Sequence, residues 1–97
     1  MTVLRMIRFS LLDPAKSETM LTKRADLIAA VRDTFPGLTE TRLARIDDET
    51  WLDQWIWDSV ESLETALAGG PSLPEAQLAF SLVRDASEER AELVDQR

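Results

Sequence analysis

Thr50-Trp51-Leu52-Asp53-Gln54-Trp55-Ile56-Trp57 decides the reading of this chain. The segment is short, aromatic and bounded by turn residues, which is the pattern of a strand. Its side chains alternate, so Trp51, Asp53, Trp55 and Trp57 share one face and Leu52, Gln54 and Ile56 the other. A strand apolar on both faces is covered on both sides, which puts it in the interior of a sheet. Asp47-Asp48-Glu49 just upstream reads as a turn, making Leu38–Ile46 and Thr50–Trp57 a hairpin.

Working outward, Glu18–Phe35 has helical spacing. Leu21, Ile28 and Phe35 lie seven apart, and Met20, Leu27 and Val31 fill in between. Lys23, Arg24, Asp26, Arg32 and Asp33 are expected mostly elsewhere on the wheel, and Pro36-Gly37 stops the helix. Before it, Thr2–Leu11 reads as a second strand apolar on both faces, ended by Asp13-Pro14. Val3, Arg5, Ile7 and Phe9 share one of its faces, Leu4 and Met6 the other. Downstream, Ser59 can cap a helix over Val60–Ala68 that ends at Gly69-Gly70. Ser72-Leu73-Pro74-Glu75 resembles a capping box opening a short helix to about Val83. Ala86–Val94 reads as a last strand at a sheet edge. The order β-α-β-β-α-β is the split βαβ pattern, so the expected class is α+β, ferredoxin-like, with helices on one face of an antiparallel sheet.

At 97 residues the chain is read as one domain, 1–97, with little margin of buried surface. Helices cover only one sheet face. The other carries Leu4, Met6, Leu52 and Ile56, an apolar patch that stacking against a second copy would bury, so a homodimer is expected. Hydrophobic residues make up 44% and charged residues 30%, a globular balance, and the net charge is −7 with no basic cluster. Nucleic acid and anionic membrane surfaces are therefore not expected partners. Arg5 and Arg8 interrupt the first apolar run and no small-residue cleavage site follows, so the N-terminus does not read as a signal peptide. No apolar stretch approaches the ~20 residues of a membrane helix, and a cytoplasmic location is expected. Cysteine, histidine, tyrosine and asparagine are all absent. That removes disulfides, thiolate nucleophiles, the commonest general base and the usual ligands of zinc and iron–sulfur clusters. No Asp-rich loop has the spacing of an oxygen-only metal shell, so no metal is expected.

Trp57-Asp58-Ser59-Val60-Glu61-Ser62-Leu63-Glu64-Thr65-Ala66-Leu67 resembles a signature of the antibiotic biosynthesis monooxygenase family. There an aromatic strand ends in Trp-x-Ser and enters an acidic, Ala/Leu-rich helix. Phe35-Pro36-Gly37-Leu38 resembles the family's loop between first helix and second strand. The resemblance implies a dimeric α+β barrel and a pocket between the sheet and its own helices, often lined by the Trp of the motif, here Trp57. It implies a cofactor-independent monooxygenase acting on or binding a small aromatic, polyketide-like ligand. The alternative is a non-catalytic dimeric ligand-binding or assembly module of the same fold. Haem-degrading relatives use a His and an Asn, and this chain has neither. The position four before Trp57 holds Asp53, where the oxygenases carry an amide.

The candidate site follows from the inner faces of the two central strands. Trp55 and Trp57 can form an aromatic wall for a flat ligand, and an indole N–H can orient a ligand oxygen. Arg5 and Ile7 are expected beside them as ligand-binding residues. Asp53 among apolar residues needs a partner, for which Arg5 is the expected one. Asp53 and Trp57 are the expected catalytic pair, with Asp53 a base taking a proton from a phenol-like substrate.

Overall fold

The computed structural model describes residues 1–97. Four strands form one antiparallel sheet: β1 (Val3–Leu11), β2 (Leu38–Arg45), β3 (Thr50–Trp57) and β4 (Val83–Glu92), in the order β2-β3-β1-β4. The strands with apolar residues on both faces, β1 and β3, are the two interior ones, as their patterning requires. They pair with Val3 opposite Trp57, Arg5 opposite Trp55, Ile7 opposite Asp53 and Phe9 opposite Trp51. Three helices complete the fold: α1 (Ser17–Thr34), α2 (Val60–Gly69) and α3 (Pro74–Phe80). No helix is long and apolar enough to cross a membrane.

Local chemistry sets the boundaries. Asp13 Oδ1 accepts the Ala15 N–H at 3.0 Å and starts a 3-10 turn over Pro14–Lys16 that leads into α1. Ser59 caps α2 by accepting the Ser62 N–H at 3.1 Å. Between α1 and β2, Gly37 adopts φ 105°, and its carbonyl accepts the Asp58 N–H at 2.8 Å. A Cβ there would lie 2.5 Å from the Ser62 side chain and 2.6 Å from Asp58 Oδ1, so only glycine lets this loop seat against the start of α2.

Most boundaries fall within a residue of the sequence reading, and the larger differences lie in the last third of the chain. Gly69 stays in α2, and Gly70–Ser72 forms a 3-10 turn. Ser72 therefore does not cap α3. Leu73 holds the N-cap position without a side-chain hydrogen bond. α3 stops at Phe80 rather than near Val83, because the Leu12 N–H bonds the Leu82 carbonyl at 2.9 Å and pulls the chain back to the sheet. β4 then begins at Val83 instead of Ala86 and ends at Glu92. Its pairing with β1 shifts register between Arg8 and Ser10, and Asp85 sits at φ 55° beside that bulge.

The core lies in two clusters at opposite ends of the inner sheet face. Val3, Trp57, Leu38, Leu27, Val31, Leu63, Ala66 and Ala76 form one, and Phe9, Leu11, Trp51 and Met20 form the other. Between them the inner face carries Arg5 and Ile7 of β1 and Asp53 and Trp55 of β3. On the outer face Leu4, Met6 and Leu52 are half-buried, Ile56 is buried, and no helix covers them. The chain end passes this face at one end of the sheet. The Leu93 N–H bonds the Thr2 carbonyl at 3.0 Å, and Gln96 Nε2 reaches Glu40 Oε2 on β2 at 2.8 Å.

Candidate functional site

The inner face is hollow beside the first core cluster and from there toward the second. A cavity of about 180 Å³ lies between the sheet and the helices, walled by Trp55, Trp57, Leu27, Val31, Leu63 and Ala66, with Arg5 and Asp53 its only charged residues. A second cavity of about 300 Å³ adjoins it toward β4 and adds Arg24, Ser87 and Glu88. Arg5, Ile7, Leu27, Asp53, Trp55 and Phe80 border both. The expected site residues Arg5, Ile7, Asp53, Trp55 and Trp57 thus share one lining. Trp51, the remaining indole, belongs to the second core cluster, with the Arg45 guanidinium 4.6 Å over its ring.

Asp53 is engaged, and by a partner other than the expected one. Arg24 of α1 grips it side-on, Nε to Oδ2 at 3.1 Å and Nη2 to Oδ1 at 3.0 Å. Trp55 Nε1 donates to the same Oδ1 at 3.0 Å. The two side chains of the pair are 17% and 15% exposed, so the ion pair is largely withdrawn from water. Arg5 instead donates from Nη2 to Glu88 Oε2 of β4 at 2.8 Å. Register treats the two acids alike, since Asp53 of β3 and Glu88 of β4 both stand opposite Ile7 and diagonal to Arg5. The difference is that Arg24 of α1 takes Asp53, and Arg5 pairs with Glu88. Arg24 lies on the buried face of α1 and not on its solvent side, and its spacing carries that signal. Met20, Arg24, Leu27 and Val31 recur at four, three and four residues, which is one helix face, and the other three members are buried. Hydrogen bonds from Arg5 and then Arg90 hold the Glu88 carboxyl below its ordinary value of 4.5.

Two donors in this lining have no acceptor. Trp57 is 2% exposed and its Nε1 is buried without a partner, as is Nε of Arg5. The Trp55 and Trp57 rings lie with centroids 6.5 Å apart and planes tilted by 32°. Together they give a broad aromatic wall with one end able to donate N–H. No group of three acidic side chains converges closely enough to hold a metal ion.

No family model matches the sequence, and no curated protein matches it by sequence. Solved structures do match. SnoaB, a cofactor-independent oxygenase from Streptomyces nogalater, superposes with a TM-score of 0.74 at 21% identity, over 98% of this chain and 95% of that one. A candidate antibiotic biosynthesis monooxygenase from Caulobacter crescentus CB15 gives 0.72 at 16% identity, over 97% and 91%. The chain has the fold of the antibiotic biosynthesis monooxygenase-like proteins. A dimeric ferredoxin-like protein from an uncultured marine organism shares it, with a TM-score of 0.69 at 12% identity over 99% of this chain and 90% of that one. At such identities the likeness carries the fold, and function has to be argued from the cavity.

Proposed function

We propose that this chain binds a small aromatic, polyketide-like ligand in the cavity between its sheet and helices and oxidises it without a cofactor. The observation that carries this reading is an aromatic-walled cavity whose inner part holds a single carboxylate, Asp53. Trp55 and Trp57 would hold the flat face of the ligand. Asp53 Oδ2 accepts one N–H, whereas Oδ1 accepts two, so Oδ2 is the atom with room for a proton. Proton loss from a ring CH2 activated by a neighbouring phenol or carbonyl leaves a carbanion. O2 adds at that carbon. One oxygen atom stays as the new C=O, and the other leaves as water with the two ring hydrogens. The substrate supplies all four electrons, so no external reductant is required. The similarity in fold to SnoaB supports this direction.

A second reading has its own observation. With three N–H donors on its carboxylate, Asp53 is also suited to a purely structural role, which fits a non-catalytic ligand-binding module. An oxygen electrode separates the two. With a polycyclic phenol that quenches Trp fluorescence, the first reading expects O2 uptake that Asp53→Asn abolishes while binding persists. Binding without any uptake by the native chain contradicts catalysis.

The working unit in this proposal is a homodimer. The outer sheet face, with Leu4, Met6 and Leu52 half-buried and uncovered by any helix, is the surface a second copy would close.

A further inference from the structure

We infer that the ligand carries an anionic oxygen, a carboxylate or phenolate, and presents it to Arg5 and Trp57. The inference rests on the proposed ligand cavity and names the chemistry of what fills it. A buried N–H without an acceptor is destabilising, and native proteins leave few of them. Here two occur together, Arg5 Nε and Trp57 Nε1, and both residues line the inner cavity. Because Arg5 stands opposite Trp55 and Val3 opposite Trp57, Arg5 and Trp57 are diagonal neighbours on adjacent strands. Such neighbours sit roughly 7–8 Å apart at Cα, close enough for long side chains to converge on one atom.

The protein supplies no acceptor of its own for these donors. Asp53, the only carboxylate of the inner cavity, is taken by Arg24 and Trp55. Glu88 occupies Nη2 of Arg5 and leaves Nε free. The guanidinium presents a planar fork matched to an oxyanion, and charge-assisted bonds to it are about twice as strong as neutral ones. A neutral hydrocarbon in this cavity would leave both donors unsatisfied. An oxyanion on an aromatic frame satisfies them while its ring packs against Trp55 and Trp57. Glu88 is then an internal competitor for Arg5, so its charge weakens the ligand's hold.

Titrations following Trp fluorescence test this with naphthalene, 2-naphthamide, 2-naphthoate and a nitronaphthol ionised at neutral pH. The last two separate carboxylate from phenolate as the anion. At least one anion should bind on the order of tenfold more tightly than both neutral probes, the difference expected of one charge-assisted bond. Arg5→Met should erase that difference. Trp57→Phe, which keeps a ring but loses the N–H, should reduce it. Glu88→Gln should tighten the anion by a few-fold, on the scale of a removed competing charge, and gives a readout that survives if Arg5→Met misfolds. Equal binding of all four probes, or a preference unchanged in Arg5→Met, overturns the inference alone. If no probe binds, the cavity reading falls with it.

Discussion

Asp53 shows how much depends on one side chain's partner. Its carboxylate sits on the inner sheet face between Trp51 and Trp55, where an unpaired charge would be strongly disfavoured, and Arg24 resolves that with two N–H bonds. Asp53→Asn keeps the shape but leaves Arg24 facing a neutral amide. Because the pair retains some exposure, the loss should be about 1–3 kcal/mol, below that of a fully buried pair. Thermal melts of Asp53→Asn, Arg24→Met and the double variant check this. The double variant should lose less than the sum of the singles, and strict additivity would mean the pair is not coupled. The need for a partner was legible in the sequence, because an Asp on an apolar strand face demands one. Its identity was not, since Arg5 on the neighbouring strand and Arg24 on the helix both lay within plausible reach. What decides between them is that Arg24 reaches Asp53 from α1 while Arg5 pairs with Glu88.

At the scale of elements, β1, α1, β2, β3 and α2 were readable because periodicity and punctuation agree in each. Short runs of large apolar side chains on both faces, bounded by turn residues, mark β1 and β3, and Pro36-Gly37 ends a long heptad pattern. The segment from Gly69 to Glu92 was less readable for a physical reason. Its 3-10 turn absorbs the residues that look like a cap, and the bulge beside Asp85 breaks the alternation that would have marked the start of β4. Only Val83 of β4 is even half-buried, so that strand carries almost no hydrophobic pattern to read. Gly37 is the element-scale test. Its φ of 105° and the absence of space for a Cβ make Gly37→Ala both strained and overpacked. A loss of about 2–4 kcal/mol in urea unfolding is expected, and a change under ~0.5 kcal/mol would mean the loop relaxes freely.

For the whole molecule, the inner face is hollow beside the first core cluster and from there toward the second, and the outer face has no helix cover. With 13 of 97 residues buried, the single chain has a small core, which makes closure of the outer face by a second copy favourable. Light scattering should give about twice 10.9 kDa at micromolar concentration. Met6→Lys, which places a charge in the centre of the outer face, should shift the mass toward the monomer. A native monomer would refute the dimer. The cavity is the central claim, and intermolecular NOEs from a bound flat aromatic probe such as 2-naphthoate test it most directly. The expected pattern is contact with the Leu27, Leu63 and Ala66 methyls and with the Trp57 indole N–H. NOEs confined to Leu4, Met6 and Leu52 on the opposite sheet face, or none at a saturating probe concentration, would contradict it.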